Sequence, residues 1–158
     1  MEKGKLVCVL FNAGRKDELT SECRLRIKAG LTIENATLCL VGEKTWLMKT
    51  ICSDRFIIEL NNCSDTIGNI REIEKFARQE GFHDILIISS SYHLRRIKLL
   101  LNIIGLEADV RAAEDIMGVK KAISFTEPLI YFATLIFWKL RIINKQKIKG
   151  EVNIQKKL

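Results

Sequence analysis

Two short stretches hold the side chains that could do chemistry. The first is Ser89-Ser90-Ser91-Tyr92-His93-Leu94-Arg95-Arg96. Serines at the start of a helix can cap it or bond an anion's oxygens, because the first turn presents unpaired N–H groups and a partial positive charge. His93 and Arg96 stand three apart, so on a helix they share a face. Imidazole ordinarily titrates near neutrality and suits general acid–base work, while guanidinium matches phosphate or carboxylate. The second stretch is Cys63-Ser64-Asp65-Thr66-Ile67-Gly68-Asn69. Ser64 or Asp65 fits the N-cap of a helix, and Thr66 and Asn69 are again three apart. A glycine in a first helical turn costs about 1 kcal/mol relative to alanine, so Gly68 predicts a close approach to the backbone.

A weaker signal follows the first apolar run, in Phe11-Asn12-Ala13-Gly14. Asn12 and Gly14 suit a turn between a strand and a helix. Arg24 lies on the shoulder of the next apolar stripe, placed either to snorkel to the surface or to reach over a sheet toward an anion. The expected ligand-binding set is therefore Asn12, Gly14, Arg24, Thr66, Asn69, Ser89, Ser90, Ser91 and Arg96. His93 is the expected acid–base group, with Asp65 to orient it or to bind a hydroxyl. For each stretch the structural alternative is a capped helix with an exposed basic face.

Several chemistries lack their residues. HExxH, GxSxG, a P-loop and the full GxGxxG fingerprint do not occur. Cys63 has no neighbouring histidine to lower its pKa. The five cysteines form no CxxC pair and only two histidines accompany them, so no metal site is expected. Their odd number and scatter suggest a reducing cytoplasm. The apolar stretch near the amino terminus is too short for a signal peptide or a membrane span.

The elements that must position these residues are legible as apolar runs alternating with helix-period segments. Strands are expected at 5–11, 37–41, 55–60, 84–89 and 107–112. The first, second and fourth lack polar alternation, as strands covered on both faces do. Helices are expected at 18–31, with Leu19, Cys23, Ile27 and Leu31 on one stripe; at 66–80, stopped by Gly81; and at 92–104, closed by Gly105. Residues 44–52 suggest a short helical turn or a loop. The pattern predicts one α/β domain over 1–125: a Rossmann-like open, mainly parallel sheet of about five strands with helices on both faces. In such sheets ligands bind beyond the carboxyl ends of the strands, where the serines and His93 fall.

Residues 126–144 form a helix candidate that is apolar nearly all round, and 145–158 a basic tail. From Lys139 to Leu158 seven Lys and Arg face Glu151 alone, a net of +6 out of the chain's +7. The apolar run is short of the roughly 20 residues needed to cross a bilayer. The domain's own sheet, a second copy or a membrane surface could cover it. Nucleic acid is not an expected partner, because the basic residues cluster in the tail without interleaved aromatics.

Jointly, the two chemical stretches resemble the YdcF-like family, which includes SanA- and ElyC-type proteins. "ELNNCSDTIGN" is similar to the family's E..S.nT.eN, with Thr66 and Asn69 in place, and "SSSYHLRRI" to its TS.yH..RA, through Ser90, Tyr92, His93 and Arg96. Arg24 and Leu25 match an RL pair in the first helix. The resemblance spans roughly residues 5 to 115. It departs at "FNAG" for a glycine-rich turn, at "VGE" for SGG, in a shortened second helix, at Cys63 for a serine, and at Glu59, one residue farther away than usual. The resemblance implies a bacterial, envelope-linked protein with a Rossmann-like domain, a polar crevice and no assigned activity. A small anionic ligand, nucleotide-like or an envelope precursor, is implied, with S-adenosylmethionine among the candidates. The location expected is cytoplasmic, or the inner face of the membrane. The rival expectation is a non-catalytic interaction or peripheral membrane protein with a reduced crevice.

Overall fold

The computed structural model describes residues 4–11, 18–52, 56–121 and 123–139. It falls into two units, Met1–Ile123 and Ser124–Leu158. The first contains β1 (Lys5–Leu10), α1 (Ser21–Leu31), β2 (Ala36–Val41), α2 (Thr45–Lys49), β3 (Ile57–Leu60), α3 (Thr66–Glu80), β4 (Ile85–Ser89), a 3-10 turn (Ser91–His93), α4 (Leu94–Ile104), β5 (Asp109–Ala112) and α5 (Ala113–Met117).

The five strands form one sheet, all parallel, in the order β3-β2-β1-β4-β5. Strands β1 and β4 are central, and five residues of each are buried. Their unbroken apolar runs follow from that position, since helices cover both faces. On one face Leu6, Cys8, Leu10 and Ile87 meet Ile70, Ile73 and Ala77 of α3 and Ile97, Leu100 and Leu101 of α4. On the other, Val7, Val9, Leu38 and Ile88 meet Cys23 and Ile27 of α1, Met48 of α2 and Ala113 of α5. The Rossmann-like α/β architecture is the one expected. Element ends agree with expectation to within about three residues, as helix and strand ends fray.

Local chemistry sets the helix limits. Thr20 Oγ1 accepts from the Cys23 N–H and starts α1. Asp65 starts α3 in the same way, and Gly81 and Gly105 end α3 and α4 in the left-handed conformation that glycine tolerates best. Gly30 lets α1 lie tight on the sheet: a Cβ there would stand 2.6 Å from Val9 Cγ2. Helix α5 was not expected; five residues are too few to show a period.

The chain runs β1, β2, β3 toward one edge, then returns to place β4 on the far side of β1. The order therefore reverses between β1 and β4, the switch point beyond whose carboxyl ends open α/β sheets form their ligand crevice. In the second unit residues 127–139 are helical. The expected continuation to 144 and the basic tail at 145–158 lie outside the described residues.

Candidate functional site

The reversal point is built around Arg26. This arginine sits on the sheet-facing side of α1, between Cys23 and Ile27, and is 1% exposed. Its Nε and Nη2 donate to Ser90 Oγ at 3.0 and 2.8 Å, and Nη1 donates to the Leu10 carbonyl at 3.1 Å. A longer contact of 3.5 Å reaches the Phe11 carbonyl. One planar fork thus ties the end of β1 to the loop after β4 across the crevice, which a lysine's single point charge could not do. Burial pushes the Arg26 pKa down, while Tyr92, Glu22 and Glu114 favour its charge.

The serine run is spent on the protein itself. Ser89 is the last residue of β4, buried opposite Ala112 of β5. Ser90 serves Arg26. Ser91 donates its N–H to Glu114 at 3.2 and 3.1 Å and its hydroxyl to the same carboxylate at 3.3 Å. The positive end of a helix was expected to meet a ligand's anionic group here. Instead it meets Glu114, brought round by α5 and 2% exposed. The Tyr92 hydroxyl donates to Glu22 of α1 in a short contact. Burial raises the Tyr92 pKa first, and the Glu22 partner raises it further.

His93 and Arg96 are together, as their spacing predicts. Arg96 Nη2 lies 3.0 Å from His93 Nδ1. A guanidinium can only donate, so Nδ1 is the acceptor and the neutral ring carries its proton on Nε2. The Tyr92 ring lies tilted on the imidazole, centroids 4.3 Å apart. Burial, then the charges of Arg26 and Arg96, push the His93 pKa down to about 3. The near-neutral titration expected from the sequence is therefore absent: His93 is a neutral hydrogen-bond donor at physiological pH.

The first turn of α3 stands at the same carboxyl edge. Asp65 is exposed, and its Oδ1 accepts from the Gly68 N–H at 2.6 Å. It is an N-cap, which accounts for its carboxylate without catalysis. The close approach predicted at Gly68 is real but internal: a Cβ would lie 2.7 Å from both Cβ and Sγ of Cys63. Burial, with Glu72 and Asp65 nearby, raises the Cys63 pKa, the wrong direction for a nucleophile. Thr66 is half-buried and Asn69 buried, and Asn69 Oδ1 meets no hydrogen-bond donor among the described residues. Ile70, one turn beyond Thr66, and Ile97, one turn beyond His93, belong to a single buried cluster with Leu10 and Val41. Both helix starts therefore ride on the ends of β1 and β2 and their neighbours.

Of the other expected residues, Arg24 is exposed on α1, and Asn12 and Gly14 lie outside the described residues. Sequence reasoning missed Arg26, Glu22 and Glu114. Arg26 had a signal: it is three after Cys23 and one before Ile27, a charge on the apolar stripe itself. Glu114 had none, because only the sheet order brings α5 beside the β4 loop. Glu59, near the end of β3, is likewise engaged: it accepts from Thr45 Oγ1 at 2.9 Å and Lys49 Nζ at 2.8 Å, and Lys49 lowers its pKa. A concavity of about 680 Å³ is an open groove at the opposite end of the sheet, lined by His83, Asp84, Lys98, Asn102 and Asp109 among others. It holds none of the expected chemistry. Among the described residues no cluster of His, Cys, Asp and Glu could hold a metal ion.

Fold and site together define an open, parallel α/β domain of Rossmann-like topology with a polar, hydrogen-bonded cluster at its strand-order reversal. No family model, curated protein or solved structure matches the chain.

Proposed function

We propose that the domain binds a small anionic ligand, bearing phosphate or carboxylate, at the carboxyl edge of the sheet, as its resemblance to YdcF-like proteins implies. The observation that carries the reading is the pairing of His93 with Arg96 beside buried Arg26. A neutral imidazole N–H and a guanidinium there offer donors in a field that favours negative charge. The α3 first turn adds the N–H groups of Thr66 and Ile67, left over once Asp65 takes that of Gly68. Asn69 Oδ1 adds an acceptor, which favours a ligand carrying a hydroxyl or N–H besides its anionic group. Arg26, Ser90, Ser91 and Glu114 are positioning residues that hold the crevice walls.

Nucleotides, sugar phosphates and S-adenosylmethionine screened by thermal shift test this reading. A ligand at a hundred times its Kd stabilises by about 2.7 kcal/mol. The shift should vanish in His93→Ala with Arg96→Ala; an equal shift in that double variant refutes the site.

A second reading, a non-catalytic interaction protein, is favoured by one observation. Glu114 already fills the anion position at Ser91, so part of the expected ligand cradle is closed. Under that reading no member of the panel shifts the wild type.

A further inference from the structure

We infer that β5 pairs with β5 of a second copy of this chain, antiparallel and in a register centred on Val110, so that two five-stranded sheets join into one. Strand β5 lies at the edge of the sheet, with β4 as its one neighbour. Alternate residues of such a strand turn their N–H and C=O groups outward, where another strand can pair with them. Asp109 and Arg111 are exposed on β5, and Val110 between them is half-buried. Side chains alternate across a strand, so the two charges share one face, and Ala108, Val110 and Ala112 share the other. Among the described residues neither Asp109 nor Arg111 has an ion-pair partner.

Charge chooses both the occupant and the register. Two-fold symmetry makes every contact twice, and the alternation of an antiparallel ladder sets the axis through a residue rather than between two. An axis through Asp109 faces that carboxylate with its own copy, and an axis through Arg111 faces two guanidinium groups. Each puts like charges directly opposite, which destabilises a strand pair. With the axis through Val110, Asp109 stands opposite Arg111 of the second copy, and Arg111 opposite Asp109 of the second copy. Both carboxylates and both cations are then matched. On the other face Val110 meets its own copy and Ala108 meets Ala112, small apolar side chains beside the groove lined by Leu101 and Leu106. The opposite edge of the sheet is not self-complementary in this way. Strand β3 carries one charge, Glu59, already held by Thr45 and Lys49.

Sedimentation velocity of the full chain at low ionic strength, where exposed charge pairs are least screened, tests this. The wild type should sediment as a dimer at about 100 μM. Asp109→Arg sets arginine opposite arginine twice, and Arg111→Asp sets aspartate opposite aspartate twice. Each should raise the dissociation constant at least about tenfold. Both positions are exposed, so neither substitution should change the circular dichroism. Mixing the two variants restores opposite charges at both pairs and should return a dimer with one copy of each. Combining both substitutions in one chain should do the same. A wild type that stays monomeric, or single variants that dimerise as the wild type does, overturns the proposal. So does failure of the mixture or of the double variant to recover the dimer, for the copies then meet elsewhere or in another register.

Discussion

Replacing Arg26 by leucine tests whether the crevice is held together as described. Leucine fits the apolar surroundings of α1 but returns none of the hydrogen bonds. Ser90 Oγ loses two donors, the Leu10 carbonyl loses one, and the cation favoured by Glu22 and Glu114 disappears. Hydrogen bonds to a charged group are worth about 1.5–3 kcal/mol each, and some of that returns through the apolar side chain. Removing one member of a buried charge network costs about 3–5 kcal/mol. With a urea m-value of about 2 kcal/mol/M, the unfolding midpoint should fall by about 1.5–2.5 M. Arg26→Lys keeps the charge but not the fork, and should fall between leucine and wild type. The substitution also has an electrostatic readout. Arg26 is one of the causes of the depressed His93 pKa, so its removal should raise that pKa from about 3, as followed by NMR of the ring protons. Ser90→Ala, a smaller change, should lower the midpoint in the same direction if Arg26→Leu does not fold. A midpoint within about 0.5 M of wild type, together with an unmoved His93 titration, would refute the account of Arg26 as the tie across the crevice.

Three further expectations follow from the same geometry. Glu114→Ala should cost about 3 kcal/mol in urea unfolding, because it strands the Ser91 donors and removes a counter-charge of Arg26; added acetate should recover part of the loss, and Glu114→Gln should cost less. Gly68→Ala should destabilise despite alanine's better helix propensity of about 1 kcal/mol, and a thermal-melting cycle should find the penalty removed in a Cys63→Gly background. Lowering the pH from 6.5 should weaken the fold, because the unfolded chain protonates His93 near 6.5 and the native protein only near 3. One proton sets a ceiling of about 1.4 kcal/mol per pH unit, partial solvation of the ring keeps the loss below it, and His93→Gln should flatten this part of the urea-midpoint profile.

The expected chemical residues separate into those whose neighbours are local and those whose neighbours are not. Asp65 as a cap, and the pairing of His93 with Arg96, depend on contacts three residues apart, and both are present. The roles of Ser90 and Ser91 depend on Arg26, 64 residues earlier, and Glu114, 23 later. Sequence reasoning named Arg24 as a candidate because an arginine on the shoulder of a stripe can either snorkel to the surface or reach over the sheet. In the structure Arg24 faces solvent, and Arg26, on the stripe, reaches across the sheet end.

By itself the sequence determined the class of fold. Unbroken apolar strands at 5–10 and 85–89, helices of period 3.6 and glycine stops at 81 and 105 are local signals, set by burial and backbone sterics that act within a few residues. It also placed the chemical stretches at strand-to-helix turns. Only the tertiary structure decided the strand order, and with it which groups share the crevice. That order brings Glu114 beside Ser91, and the burial around it lowers the pKa of His93. Buried charge is a property of the assembled surroundings: desolvation and pairing depend on elements distant in the chain, and no local pattern encodes them.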